Sequence, residues 1–248
     1  MDKYETIVYA ELAVWQEKMA KAPGVFDGMS KRIQTRINRV IPEKAHAAIT
    51  AAIKQMTRAV IFGSEISTTA KTPGLSLQVR EHLVKERIKF YRNTAATEGA
   101  LTGAAGFFVG LADFPLWLTL KMKLLFEIAS LYGVDTKDYK ERIYMLHIFQ
   151  LTFSSQQHRN KVYGIIENWE SERDKLPPDI NGFDWRSFQQ EYRDYIDLAK
   201  LLQLIPGIGA VVGAYVNHRL TVKLGETAIN AYRMRWKNSV IKKPDRLL

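Results

Sequence analysis

The sequence predicts an all-α fold, a multi-helix single domain, and three observations predict it. Apolar residues return every three or four positions through most of the chain, the period of one helix face. Pro, Gly and short polar clusters separate these stripes, as helix stops and starts require. No stretch alternates apolar and polar residues as a half-buried strand would. With 248 residues, 46% of them apolar and 25% charged, the chain can bury a sizeable core. Residues 1–248 are read as one domain, and an internal boundary, if there is one, falls in the 64–75 loop.

Tyr4, Val8, Leu12, Trp15 and Met19 form the first stripe, and Ala22-Pro23-Gly24 stops it. Ser30 suits the N-cap of a second helix with Ile33, Ile37, Val40 and Ile41 inward. Pro42 ends that run and can occupy the first turn of a third helix, which carries Ala45, Ile49, Ile53, Met56 and Val60 up to Gly63. Residues 64–75, rich in Ser, Thr, Pro and Gly, are a loop. A basic amphipathic helix follows, with Leu83, Val84, Ile88 and Tyr91 apolar and Arg80, Lys85, Arg87, Lys89 and Arg92 charged. Leu118 to Tyr132 is a strong helix ended by Gly133, and Tyr139, Ile143, Leu146, Gln150 and Phe153 mark the next. Val162, Ile165, Ile166 and Trp169 continue the helical period until Pro177-Pro178. Asp184 supplies an N-cap for a helix with Phe188, Tyr192, Tyr195, Ile196 and Ala199 on one face. Leu220, Leu224, Ala228 and Ala231 make the last stripe.

Two glycine-rich apolar segments, 99–120 and 201–217, stand apart, and they read as helical hairpin elements. Gly106 with Gly110, and Gly209 with Gly213, place small residues four apart, which lets two helix backbones approach closely in a membrane or in a tight core. A span needs roughly 20 mostly apolar residues. The second segment is shorter and contains Gln203 and Pro206. The first contains Asp113 and Pro115, and an unpaired acid near a span centre costs about 2.5–3.5 kcal/mol. Neither is a comfortable single span. A buried hairpin and an interfacial or re-entrant one both stay open, and Phe107, Phe108, Leu111, Phe114 and Trp117 are the side chains that would meet lipid.

The net charge is +10, and its distribution is uneven. Residues 218–248 carry eight Lys and Arg against two Asp and Glu, whereas 167–197 carry nine acids against four bases. The basic end can meet an anionic membrane surface or serve as a solvated helix face. Arg219, Lys223, Arg233, Arg235 and Lys237 are its candidate lipid contacts. Nucleic acid is a weaker expectation, because no nucleic-acid-binding module accompanies the charge. The N-terminus, Met1-Asp2-Lys3-Tyr4-Glu5, does not read as a secretory signal. The expected location is therefore cytoplasmic, peripheral at the inner membrane face.

Signals of chemistry are few. The chain has no cysteine, which excludes disulfides, thiolate metal sites and cysteine nucleophiles. Gly207-x-Gly209-x-x-x-Gly213 lacks both the spacing and the preceding strand of a nucleotide loop. Glu43-x-x-His46 is half of a di-iron carboxylate pattern without its second copy. No catalytic motif is recognisable, and no cofactor or metal is expected. Asp113, His147 and Asn217 are the polar residues set in apolar surroundings, and they are the candidates for lining a pocket. A buried acid must find a donor or take up a proton, so Asp113 needs a partner that the sequence does not name.

Ile41-Pro-Glu-Lys-Ala-His46, Thr97-Glu-Gly-Ala-Leu-Thr-Gly-Ala-Ala-Gly106, Leu111-Ala-Asp-Phe-Pro115, Ile205-Pro-Gly-Ile-Gly-Ala210, Asn217-His-Arg-Leu220 and Leu224-Gly-Glu-Thr-Ala-Ile-Asn-Ala-Tyr-Arg233 together carry a resemblance. Over nearly its full length the chain resembles the bacterial EcsC family. The resemblance implies a protein often encoded beside an ABC transporter, whose subunits are named EcsA and EcsB, and it supplies no catalytic motif. The expected function is thus a cytoplasmic accessory protein at the inner membrane face, associating with lipid, with ABC transporter subunits, or with both. The alternative is a binder or enzyme acting on a small apolar or lipid-like molecule in a helical cavity.

Overall fold

Periodicity becomes helix throughout a computed structural model, which describes residues 2–21, 43–62, 74–103, 114–154, 156–195 and 210–242. The helices are α1 (Lys3–Ala20), α2 (Glu43–Phe62), α3 (Leu77–Gly103), α4 (Phe114–Leu131), α5 (Tyr139–Phe153), α6 (Gln156–Glu167), α7 (Trp169–Lys175), α8 (Trp185–Tyr195) and α9 (Ala210–Lys242). A 3-10 turn, Ile180–Gly182, precedes α8. No strand occurs among the described residues, so the expected all-α fold is the observed one. The expected helix over 30–41, most of the 64–75 loop, and the glycine-rich stretches 104–113 and 201–209 lie outside the described residues. So do Phe107, Phe108, Leu111 and Asp113.

Local chemistry sets several boundaries. Asp138 caps α5 by accepting from the Lys140 amide at 2.9 Å, and Asp184 caps α8 by accepting from the Ser187 amide at 3.1 Å. Gly133 closes α4 with φ +84°, a left-handed conformation that favours glycine. Pro115 sits in the first turn of α4, where its missing N–H has no intrahelical partner to lose. The stripe through Val162 and Trp169 is interrupted at Asn168, which separates α6 from α7. The first glycine-rich segment begins inside a helix, since α3 runs on to Gly103.

The packing is organised around α9, and pairs of contacts fix helix directions. Glu81 meets Arg233 and Ile88 meets Gly225, so α3 runs antiparallel to α9. Trp117 meets Asn217, Lys121 meets Thr221 and Tyr132 stacks on Tyr232, so α4 runs parallel to α9. Glu141 meets Arg235 and Thr152 meets Lys223, so α5 is antiparallel to it. One apolar core draws on all of these helices and on α1, α2, α6 and α8. The 33-residue α9 is thus an axial helix surrounded by others.

These directions have a consequence for the glycine-rich segments. The C-terminal end of α3, the N-terminal end of α4 and the N-terminal end of α9 lie at one pole of the bundle. The stretch 104–113 is joined to that pole at both ends, and 201–209 enters α9 there. Leu116, in the first turn of α4, and Tyr215, in the second turn of α9, are exposed large apolar side chains near that pole.

Candidate functional site

Near the same pole, the seam between α4 and α9 buries a lysine. Lys121 is 1% exposed, and its Nζ donates to Asn217 Oδ1 at 3.0 Å and to Thr221 Oγ1 at 2.6 Å. The Trp117 indole donates to the same Asn217 oxygen at 2.6 Å, and its ring centroid lies 5.1 Å from the lysine nitrogen. Thr221 in turn donates to the Asn217 carbonyl at 2.8 Å. The spacing explains the cluster. Residues 117 and 121, and 217 and 221, are each four apart, and two parallel helices bring the pairs level. Phe114 stacks on Trp117, which sits edge-on to Phe149 and Phe153. Phe114 and Trp117 are therefore inward-facing rings in this structure. The arrangement can hold an amine at a fixed point in an otherwise apolar seam.

Two carboxylates anchor the other end of α9. Glu81 of α3 is fully buried and receives both arms of the Arg233 guanidinium, at 2.7 Å and 2.6 Å. Tyr4 donates to it at 2.8 Å and Tyr132 at 3.3 Å, while Arg233 reaches Glu11 at 3.0 Å. Burial, then the bond to Glu81, pushes the Tyr4 hydroxyl up to about 12. Burial disfavours the Arg233 charge, yet the bonds to Glu81 win and hold its pKa above the ordinary arginine value. Glu141 of α5 receives Arg235 in the same forked way at 2.5 Å and 2.9 Å, with Tyr144 under the guanidinium at 4.9 Å. Arg233 and Arg235 are two residues apart, hence about 200° apart around α9, and each ties it to a different neighbour. Much of the basic character expected of this end is used within the fold.

The remaining candidates are dispersed. Arg219 is exposed. Lys223 donates to the Thr152 carbonyl at 2.9 Å, and Lys237 lies over the Tyr9 ring at 5.6 Å. His147 is partly buried, with Nδ1 3.0 Å from Gln150 Oε1 and ring contacts to Trp169 and Phe188. Burial lowers its pKa, which favours the neutral imidazole. Phe149, two residues on, faces Trp117 from the opposite side of α5. The helix itself therefore stands between His147 and the Asn217 cluster, and the structure does not bring these two candidates together. No group of three or more potential metal ligands forms among the described residues.

One surface was missed in the sequence. Val79, Leu83 and Phe90 of α3 are 44%, 37% and 56% exposed. Leu83 was expected on the inward side, but α3 buries Leu77, Glu81, Val84, Ile88 and Tyr91 and turns Leu83 outward. Arg80, expected outward, is buried and donates to the carbonyls of Leu75 at 3.0 Å and Leu131 at 2.7 Å. The signal was present in the spacing, since positions 79, 83 and 90 make a second apolar arc on one helix.

Residues 6–236 match the EcsC protein family. The chain is 46% identical over 230 residues to Protein EcsC of Bacillus subtilis (strain 168), covering 92% of this chain and 94% of that protein. It is 32% identical over 161 residues to the Uncharacterized protein YdbA of the same strain, covering 64% of this chain and 58% of that one. No solved structure matches it. The match is long enough and close enough to assign the chain, which belongs to the EcsC family.

Proposed function

We propose that this chain is a peripheral accessory protein of the inner membrane face, acting on lipid, an ABC transporter, or both. The observation that carries the reading is the shared pole. The two helix ends that flank 104–113 and the start of α9 that follows 201–209 meet there, beside exposed Leu116 and Tyr215. Sequence places Phe107, Phe108 and Leu111 in one of those segments. No described helix is long and apolar enough to cross a membrane, so the reading is of contact with the bilayer rather than passage through it by these helices. The transporter half of the proposal follows from the family resemblance.

Fractionation of native cells tests it, with a low-salt spin, a high-salt wash and then detergent. The chain is expected in the membrane pellet at low salt and to be released by one of the two later steps. Recovery entirely in the low-salt supernatant would refute the membrane reading. Cross-linking in intact cells, followed by identification of the linked transporter subunits, tests the other half.

A further inference from the structure

We infer that the open length of α9 is a docking site for an acidic helix of a partner protein, laid across the bundle beside α1. The inference concerns a protein partner and stands apart from the membrane reading. Tyr215, Arg219, Lys223 and Glu226 are exposed and lie three or four residues apart, so one face of α9 meets solvent over about 16 Å. Farther along, α1 covers the same face. Glu11 meets Arg233 at 3.0 Å, Gln16 meets Met234, and Lys237 lies over Tyr9. Arg219 and Lys237 are about five turns apart, hence on one line. α1 reaches from α3, where Tyr4 donates to Glu81, to α6, where Trp15 sits edge-on to Tyr163. It therefore crosses α9, with a carboxylate on a basic side chain of α9 and buried Val8 and Leu12 beneath it. The fold itself shows how a helix seats on this face.

Charge selects the occupant. α4 and α1 take opposite faces of α9, since Thr221 and Lys237 are about 160° apart around it. On α3, Ile88 faces α9, and Tyr91, about 60° to one side, meets Glu127 of α4. Lys85 and Lys89 lie about 60° and 100° to the other side, the side on which α1 crosses. Glu86 is turned about 60° farther away than Lys89. Lys85, Lys89 and Arg219 are exposed, with no ion pair among the described residues, while Lys223 donates to the Thr152 carbonyl. Glu226 is the exposed acid among them. The lysines of α3, and Arg219 with Lys223, each repeat at about 6 Å, the spacing of glutamates four apart on a helix. The neighbouring stretch 22–42 carries Lys31, Arg32, Arg36 and Arg39 against Asp27, so it does not complement this face. The flank of α1 bordering the open length adds apolar contact. Ile7 and Val14, 52% and 69% exposed, lie about 140–160° around α1 from Tyr9, hence on the side away from Lys237.

Titration of the full chain at low salt with a labelled helical peptide tests the inference. The probe carries Glu at every fourth position beside a row of Leu, and a control peptide has Lys in place of each Glu. The acidic peptide is expected to bind and the basic one is not. Lys85→Glu, Lys89→Glu and Arg219→Glu together are expected to weaken binding about thirtyfold, from about threefold for each exposed pair. The same reversal at Lys54, Arg58 and Lys123, exposed on α2 and α4, is expected to leave it within about twofold. Ile7→Gln with Val14→Gln is expected to weaken it about tenfold. All these positions are exposed, so unchanged circular dichroism and melting are expected throughout. No binding of the acidic peptide, equal binding of the two peptides, or equal losses from the two sets of reversals would overturn the inference. Two further results would overturn the partner helix as occupant. Self-association abolished by the first set of reversals makes the occupant a second copy of the chain. Flotation with phosphatidylglycerol vesicles that the same reversals abolish, without peptide binding, makes it a lipid surface.

Discussion

Replacing Gly225 by alanine distinguishes helix propensity from packing in a single measurement. Gly225 lies within α9, and in an isolated helix the change to alanine stabilises by about 1 kcal/mol. Here the added methyl carbon would stand 2.4 Å from Ile88 Cδ1, 2.5 Å from its Cγ1 and 3.2 Å from its Cγ2. Carbon atoms pack best at about 3.5–4.0 Å. The overlap therefore exceeds an ångström at two atoms, and one of these is not the tip of the side chain. Either Ile88 leaves its rotamer or α3 and α9 separate, an overpacking cost at the upper end of about 1–3 kcal/mol. The net expectation is a loss of about 2 kcal/mol, seen as a fall in Tm of about 4–8 °C. Ile88→Ala alone should cost about 2–5 kcal/mol by leaving a cavity. The double variant should lose less than the sum by at least about 1 kcal/mol, because the new methyl fills that space. Urea denaturation of the four proteins measures the cycle. A neutral or stabilising Gly225→Ala, or strict additivity, would refute the close α3–α9 contact.

Glu81→Gln should cost about 3–5 kcal/mol, because it leaves the buried Arg233 with only the exposed Glu11 as countercharge, and adding Arg233→Met should recover part of that loss in urea melts. Asn217→Ala removes an oxygen shared by Trp117 and Lys121, an expected loss of about 1–3 kcal/mol. Asn217→Asp keeps the acceptor and should melt close to wild type; equal losses in both would refute the shared-acceptor role. At alkaline pH, the hydroxyls of Tyr4 and Tyr9 are held up at about 12 in the folded chain, burial being the larger cause in each. The unfolded chain ionises them near the ordinary value of about 10, so folding binds protons more tightly. Their contribution is whole below pH 10 and is lost as pH rises from there through 12. Stability measured against pH should fall across that window, and phenolate absorbance that rises with a pKa near 10 while the fold stays intact would refute the burial argument.

The helices were legible where one face alone was apolar. The stripe of Tyr4, Val8, Leu12 and Trp15 and that of Leu220, Leu224, Ala228 and Ala231 both became helices on the core. The caps were legible too, since Asp184 and Gly133 act through local geometry. α3 was harder. It carries apolar residues on two arcs and a buried glutamate and arginine between them, so composition alone favoured the wrong side for Leu83 and Arg80. In the candidate site, Asn217 stood out as a polar residue in an apolar run, but its neighbour Lys121 did not. A lysine in a helix reads as solvated until a second helix, a hundred residues away in sequence, is laid against it.

By itself the sequence determined the class of this protein, because helical period, capping residues and the lack of cysteine are properties of neighbours along the chain. It also placed the chain in its family through fragments spread from Ile41 to Arg233. The tertiary structure alone decided which charges remain outside. Arg233 and Arg235 belong to a basic stretch of the chain, yet both point into the bundle because α3 and α5 bring Glu81 and Glu141 to them. An exposed apolar line, Val79, Leu83 and Phe90, lies on α3 instead. Which side of a helix meets water depends on the helices packed against it, and those partners are set by long-range contacts that no local pattern encodes.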